Sequence, residues 1–301
     1  MSMDLEFDYA ETTVAMDKFS QDDINELRYW TQKLDKSKYV PKDLTDKQLV
    51  LFYNACYGDM EKTKACIEKY YNCRKNGPEL FDHRTLKAEE LKSAAEVLEF
   101  SVLPGKSCEG WDIVYHRLHD TEPSKYSLEN GCKLLFMTID LCLTKRGPQP
   151  GYMFLFDMRG VRLGHLTRIS LSTLRKFFQY VQEALPVRMR AIHVLNTEPV
   201  LDKLMLLIRP FMDKKFFDML KFHNKNEDLE KFYETVVPRS SLPPDYGGTL
   251  PDTQTLHKKC MQQLQLMEPF FKLEEEQRIA ALPDKKREKA MERAFKNLDI
   301  D

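Results

Sequence analysis

Gly105-Lys106-Ser107 has the residue types that end a phosphate-binding loop. In such a loop a glycine stands five residues earlier, so that backbone amides can cradle the phosphates beside the lysine; here that position is Phe100 and the pattern fails. His116 and His119 are three apart in a stretch that reads as a strand, which sends them to opposite faces and argues against a shared metal. Asp157, His193 and His223 supply an acid and two bases, yet no serine or cysteine carries a nucleophile signature. Neither G-x-G-x-x-G nor G-x-S-x-G occurs. Seven cysteines, at 56, 66, 73, 108, 132, 142 and 260, include no C-x-x-C pair, which favours reduced thiols over a disulfide framework or a zinc ribbon. The residues therefore point to binding rather than catalysis, with neither cofactor nor metal.

The elements that would position a binding site can be read from periodicity. Residues 1–19 carry none and are expected to form a mobile arm. Ser20, Thr45 with Gln48, and Asp59 are helix starts, each leading into an apolar stripe, and Gly77-Pro78 stops the third helix. These predict an all-α lobe over residues 20–90. From 91 to 250 the pattern changes to alternating strands and helices. Val97–Leu103 and Trp111–Leu118 read as strands around a Pro104-Gly105 turn, Leu128–Leu143 as a helix, Tyr152–Phe156 as a strand, Ser170–Leu185 as a helix and Arg190–Leu195 as a strand. That order predicts an α/β fold with a mostly parallel sheet. Residues 251–301 read as C-terminal helices, the last capped by Asp284 with Met291, Ala294, Phe295 and Leu298 on one face.

The segment after Asn196 is unusual. From Val200 to Ile208 seven of nine residues are apolar, too many for one stripe on a surface helix. Two readings fit. The helix is buried core, or one side faces the protein and the other a ligand or a membrane. The formal net charge of -1 gives no field for nucleic acid. Met1–Met16 lacks the apolar run of a signal peptide, and Lys133–Leu143 is too short to span a bilayer. A soluble, monomeric, cytoplasmic protein with transient membrane contact is expected.

Several segments, in order, resemble the CRAL-TRIO family of lipid-transfer proteins. They are Glu26–Trp30, Thr45–Leu49, Glu61–Lys64 and Pro78–Phe81 in the helical part; Phe154–Val161 and Gly164-His165; Phe178 through Leu185-Pro186-Val187-Arg188 to Asn196; Ile208-Arg209-Pro210-Phe211; and Leu242–Gly248. The resemblance spans roughly residues 20–250. It implies a helical lobe followed by an α/β sandwich whose sheet floors an apolar pocket. The ligand would be a retinoid, a tocopherol-like isoprenoid or another lipid.

Pocket positions implied by the family and by strand alternation are Thr138, Tyr152, Phe154, Phe156, Tyr180, Val181, Leu185, Ile192 and Val194. The gate would be the helix 199–215, with Val200, Leu201, Leu204, Met205, Ile208, Phe211 and Met212 as its apolar contacts. Some relatives bind a phosphoinositide through a basic cluster; Arg188, Arg190 and Lys215 match three of its positions, and Met219 stands at the fourth. Two other functions compete: a phosphoinositide-binding exchanger or sensor, and a protein-interaction scaffold using the N-terminal lobe or last helix.

Overall fold

Side-chain caps start the N-terminal helices at the expected residues. Ser20 accepts from the Asp22 amide at the head of α1 (Gln21–Lys33), Thr45 and Gln48 form a capping box on α2 (Asp46–Ala55), and Asp59 accepts from the Lys62 amide on α3 (Met60–Asn76). These satisfy amides that have no partner in the first helical turn. The computed structural model describes residues 5–9, 19–35, 39–284, 287, 288 and 290. In it α4 (Pro78–Phe81) and α5 (Glu89–Val97) complete the helical lobe.

Five strands follow in the spatial order β1 (Leu98–Lys106), β2 (Asp112–Leu118), β3 (Tyr152–Asp157), β4 (Met189–Thr197) and β5 (Leu220–Asn224). β1 and β2 are antiparallel, and the other three pairs are parallel. The crossovers are made by α6 (Leu128–Arg146), by α7 (Leu163–Leu166) with α8 (Leu171–Glu183), and by α9 (Val200–Ile208) with α10 (Lys214–Asp218). This is the expected α/β sheet.

Both sheet faces are covered, as parallel pairing requires. The outer face sets Ile113, Tyr115, Met153, Leu155 and Leu195 against the segment after β5, which includes α11 (Glu230–Thr235). The inner face meets α6, α8 and α9. α12 (Thr253–Leu266) lies along the edge strand β1, and α13 (Glu268–Ala280) reaches back to α3. His257 on α12 serves that edge: Phe100 N–H donates to its Nδ1 at 3.1 Å, and its Nε2 lies 2.8 Å from Ala95 O. That pattern assigns the neutral Nε2–H tautomer, and burial depresses the imidazole pKa. The outward-facing backbone of Phe100 on this edge strand is thereby occupied.

Four expectations need correction. Residues 5–9 of the predicted arm are packed, with Asp8 N–H on Thr144 O at 2.9 Å and Tyr9 Oη donating to Lys47 O at 2.7 Å. Gly147 makes room for them: its φ is +67°, and a Cβ there would fall 2.6 Å from the Tyr9 ring. Second, Pro104-Gly105 is not the turn. β1 runs on to Lys106 with a register shift after Val102, and the chain reverses at Ser107–Gly110. Gly105 is needed because a Cβ would meet Ser241 Oγ at 2.3 Å. Third, β5, α5 and α10 were not anticipated. Fourth, the helix 199–215 is broken, as described below. Met291, Ala294, Phe295 and Leu298 lie outside the described residues.

Candidate lipid-binding site and gate

β3 and β4 set Phe154 beside Ile192 and Phe156 beside Val194, with Tyr152 opposite Met189. Alternation then puts Tyr152, Phe154, Phe156, Ile192 and Val194 on the inner face and Met153, Leu155 and Leu195 on the outer one. The outer face is sealed, whereas the inner face is buried at Tyr152 and Val194 but not throughout. Met153 and Leu155 are 1% exposed, whereas Phe154, Phe156 and Ile192, at the centre of a helix-covered face, are only half-buried. His116 joins this face, stacked between Phe100 (ring centroids 4.3 Å apart) and Phe156 (5.0 Å). Burial pulls its pKa down to about 4, so it is a neutral, aromatic-like plate at neutral pH. His119 leaves the strand and pairs with Glu99 at 3.2 Å.

α9 covers the inner face without sinking into it. None of its residues is buried: Val200, Leu201, Leu204, Met205 and Ile208 are half-buried, and Leu206 is 78% exposed. The helix stops at Ile208. Arg209–Phe211 form a 3-10 turn around Pro210, Met212 is extended, and Asp213 caps the separate α10 by accepting from Phe216 N–H at 2.6 Å. Proline has no N–H to donate, and the Asp213 side chain occupies the amide that a continuing helix would use. The segment 199–215 is thus a helix and a hooked tail, not one helix.

The tail is clasped by α8. Gln182 Nε2 donates to Phe211 O at 3.1 Å, and its Oε1 accepts from Asp213 N–H at 2.8 Å. Phe178 stacks on Phe211 (6.4 Å) and meets Phe216 edge-on (5.6 Å), while Met212 is buried in the same cluster. Gln182 carries no motif, so periodicity alone could not single it out.

Three expected pocket residues stand elsewhere. Tyr180 is sealed on the lobe side of α8, where its hydroxyl accepts from Arg74 Nε at 3.0 Å and Nη2 at 2.8 Å. Leu185 belongs to the same lobe cluster, while Val181 is shared between that cluster and the gate. Thr138 is fully buried, donates to Leu134 O at 2.8 Å and neighbours Cys260 of α12. A helix that separates two cores must face both, and a one-residue step on α8 turns Tyr180 wholly to the lobe core while Val181 reaches both.

Arg188 and Arg190 converge. Their guanidinium carbons lie 4.4 and 5.3 Å from the Tyr57 ring centroid. Arg188 Nε donates to Asn54 O at 2.6 Å, and Arg190 donates to Pro150 O at 3.0 and 3.2 Å while also approaching Trp111. Partial burial depresses the Arg188 pKa. Arg188 precedes β4, and the β3–β4 register shifts at Arg190, so the pair does not occupy regular alternate strand positions. Lys215 is exposed on α10, just before β5 and so at the same end of the sheet. Tyr57, Asn54 and Trp111 were not foreseen as the footing of this corner; Tyr57-Gly58, both at positive φ, is the turn signal that marks it.

Asp157, His193 and His223 do not assemble into one site. Asp157 accepts from Tyr246, from the Arg159 amide and Nε at 2.9 and 2.7 Å, and from Asn196 Nδ2 at 2.8 Å. His193 Nδ1 instead meets His223 Nε2 at 2.9 Å, and His223 Nδ1 lies 3.3 Å from Glu227. Among the described residues no cluster of three His, Cys, Asp or Glu could hold a metal, and no helix is long and apolar enough to cross a membrane.

Two family models match the chain. Residues 99–248 match the CRAL/TRIO domain, and residues 17–91 match the Pinta-like UBA domain. Human alpha-tocopherol transfer protein-like is 28% identical over 213 residues, 70% of this chain and 61% of that protein. The mouse counterpart is 26% identical over 234 residues, 77% of this chain and 66% of its own. Clavesin-1 of Xenopus laevis is 22% identical over 188 residues, 62% of this chain and 55% of its own. The matched stretches thus span less than two thirds of these relatives. The crystal structure of Sfh5 superposes with a TM-score of 0.52 at 14% identity, covering 80% of this chain and 92% of its own, which establishes shared fold alone. The chain belongs to the CRAL/TRIO family.

Proposed function

We propose that this chain binds one hydrophobic molecule, a retinoid, tocopherol-like isoprenoid or other lipid, between the inner sheet face and α9, and transfers it to membranes. The observation that carries this reading is the contrast in burial. Protein interiors are close-packed, so core side chains at the centre of a covered sheet ordinarily lose nearly all accessible surface. Phe154, Phe156 and Ile192 keep part of theirs, beneath an apolar helix that buries none of its residues. A space opened between this face and α9 would favour a long apolar ligand by about 0.8 kcal/mol per buried CH₂.

Release needs a second apolar surface. Leu206 already faces outward on α9, and a bilayer would replace the contacts that Met205 and Ile208 give up when α9 swings. Alpha-tocopherol transfer protein-like is named for a ligand of this class. The protein would work in the cytoplasm as a monomer, without catalysis, touching membranes transiently. Vesicle-to-vesicle transfer of a fluorescent tocopherol analogue tests the reading: protein-dependent transfer supports it, and an unchanged spontaneous rate refutes it.

A phosphoinositide-binding role is the second reading, favoured by the paired guanidinium groups over Tyr57. Met219 at a usually basic position argues for general anionic contact over headgroup selection. Arg188→Ala with Arg190→Ala should weaken flotation on phosphoinositide-containing vesicles at low salt; unchanged flotation removes this reading.

A further inference from the structure

Among the described residues seven buried side-chain polar atoms have no hydrogen-bond partner. Four of them face an ion-pair partner instead: Asp46 Oδ1, Arg74 Nη1, Glu99 Oε1 and Arg278 Nε. His165 Nε2, Asp112 Oδ2 and Tyr152 Oη have neither. The last two belong together. Asp112 opens β2 and Tyr152 opens β3, and the parallel register pairs them directly, as it pairs Val114 with Phe154 and His116 with Phe156. Paired residues on neighbouring strands share a face. The His116–Phe156 stack and the packing of Val114 with Tyr152 and Cys142 of α6 identify it as the inner face. Both side chains are sealed, Asp112 at 0% and Tyr152 at 2% exposure. Asp112 spends Oδ1 on Lys106 Nζ and on Arg146 Nη1 at 2.9 Å, cations that reach it from the partly exposed rim of the sheet. Its Oδ2 is left as an acceptor without a donor. Burial pushes the Tyr152 phenol well above its ordinary range, so its O–H remains a donor.

We propose that Tyr152 and Asp112 form the polar end of the lipid site and select a lipid alcohol. Buried polar groups are hydrogen-bonded as a rule, and an orphaned donor beside an orphaned acceptor complements a group that both donates and accepts. The ligand hydroxyl donates to Asp112 Oδ2 and accepts from Tyr152 Oη, and its apolar chain runs along Phe154 and Phe156. An ether, ester or aldehyde oxygen only accepts, so it would set lone pairs against the Asp112 carboxylate. A carboxylate on the ligand would bring a like charge there. The inference rests on the lipid reading and adds to it the chemistry of the ligand's head.

Matched pairs of probes that differ only at that oxygen test it: α-tocopherol with its methyl ether, and retinol with its methyl ether. The full chain is incubated with vesicles carrying both members of a pair at equal concentration, and the adducts are weighed by native mass spectrometry. At least one pair should load with the alcohol ahead by about tenfold or more. Tyr152→Phe should lower that ratio by about threefold or more while its ether adduct is unchanged. In the chain free of lipid the same substitution should hold or raise Tm, because the hydroxyl has no protein partner to lose. A lower Tm would show a structural role and overturn the assignment. Equal loading of alcohol and ether by the wild type, a measurement that needs no variant, overturns it too, as does an undiminished preference in Tyr152→Phe; each leaves the lipid reading standing. A folded wild-type chain that takes up none of the four probes overturns both.

Discussion

Arg74 Nη2 donates to Asp140 Oδ1 at 2.6 Å, with both side chains almost sealed from solvent. Asp140 offers its other oxygen to Arg84 Nη1 at 2.7 Å, and Glu274 of α13 lies on Arg84 and Arg74. One carboxylate on α6 thereby ties the helical lobe to the sheet domain. Removing it leaves two buried guanidinium groups with less counter-charge. Asp140→Ala is expected to cost about 3–5 kcal/mol of unfolding free energy. The exposed pair Lys69–Glu183 is a fitting control, and Lys69→Ala should change stability by less than about 1 kcal/mol. Urea denaturation of the two variants checks the contrast; equal effects would mean the buried network does not join the lobes.

Stability should fall as the solution becomes acidic. His116 and His193 are held down to about 4 by burial, against an ordinary value near 6.5. Between those values the unfolded chain binds protons that the folded chain refuses, so stability is full above about pH 6.5 and is lost as pH drops towards 4. Each group contributes a slope of up to about 1.4 kcal/mol per pH unit. His116→Phe keeps a ring between Phe100 and Phe156 and should remove one share of that slope. Denaturation curves at pH 7, 6 and 5, as chosen test conditions, decide it; an unchanged slope would show that His116 protonates freely in the folded chain.

Adjacent residues on β3 and its neighbour should separate packing from ligand space. Met153→Ala on the sealed outer face is expected to cost about 2–5 kcal/mol. Ile192→Trp on the inner face should cost less than the roughly 1–3 kcal/mol of an overpacked core and abolish uptake of the tocopherol analogue. Thermal melts and uptake assays on both chains provide the comparison. A tryptophan at 192 that unfolds the protein would place that side chain in a filled core.

Gln182 and Leu206 should act on transfer in opposite senses. Gln182→Ala removes the amide that clasps Phe211 and Asp213, so the gate should open more readily and transfer should quicken. Leu206→Asp should leave stability within about 0.5 kcal/mol, as an exposed position allows, while slowing transfer at the membrane step. Stopped-flow transfer kinetics are the readout, and equal rates for both variants would remove α9 from the mechanism.

Local signals made much of this legible in advance. Thr45 with Gln48 spelled a capping box, and the alternation around Phe154 and Ile192 placed two strand faces correctly. What stayed hidden depends on distant partners. Arg74 and Asp140 are separated by 66 residues, and nothing near either announces a buried pair. β5 has mostly exposed or half-buried residues, so its strand status rests on pairing with β4 rather than on alternation. Pro104-Gly105 resembled a turn because its fit against Ser241 comes from far along the chain. Tyr180, which lies in the lobe core alone, and Val181, which touches both cores, are neighbours on α8 and cannot be told apart until the lobe is docked.

The inner face beneath α9 is the proposed seat of a lipid. Native mass spectrometry of the purified full chain, after incubation with vesicles containing tocopherol, tests it most directly. The expected result is a one-to-one adduct of the lipid's mass that Ile192→Trp loses while remaining folded. A wild-type chain that stays at its bare mass, or an adduct retained unchanged by Ile192→Trp, would contradict it.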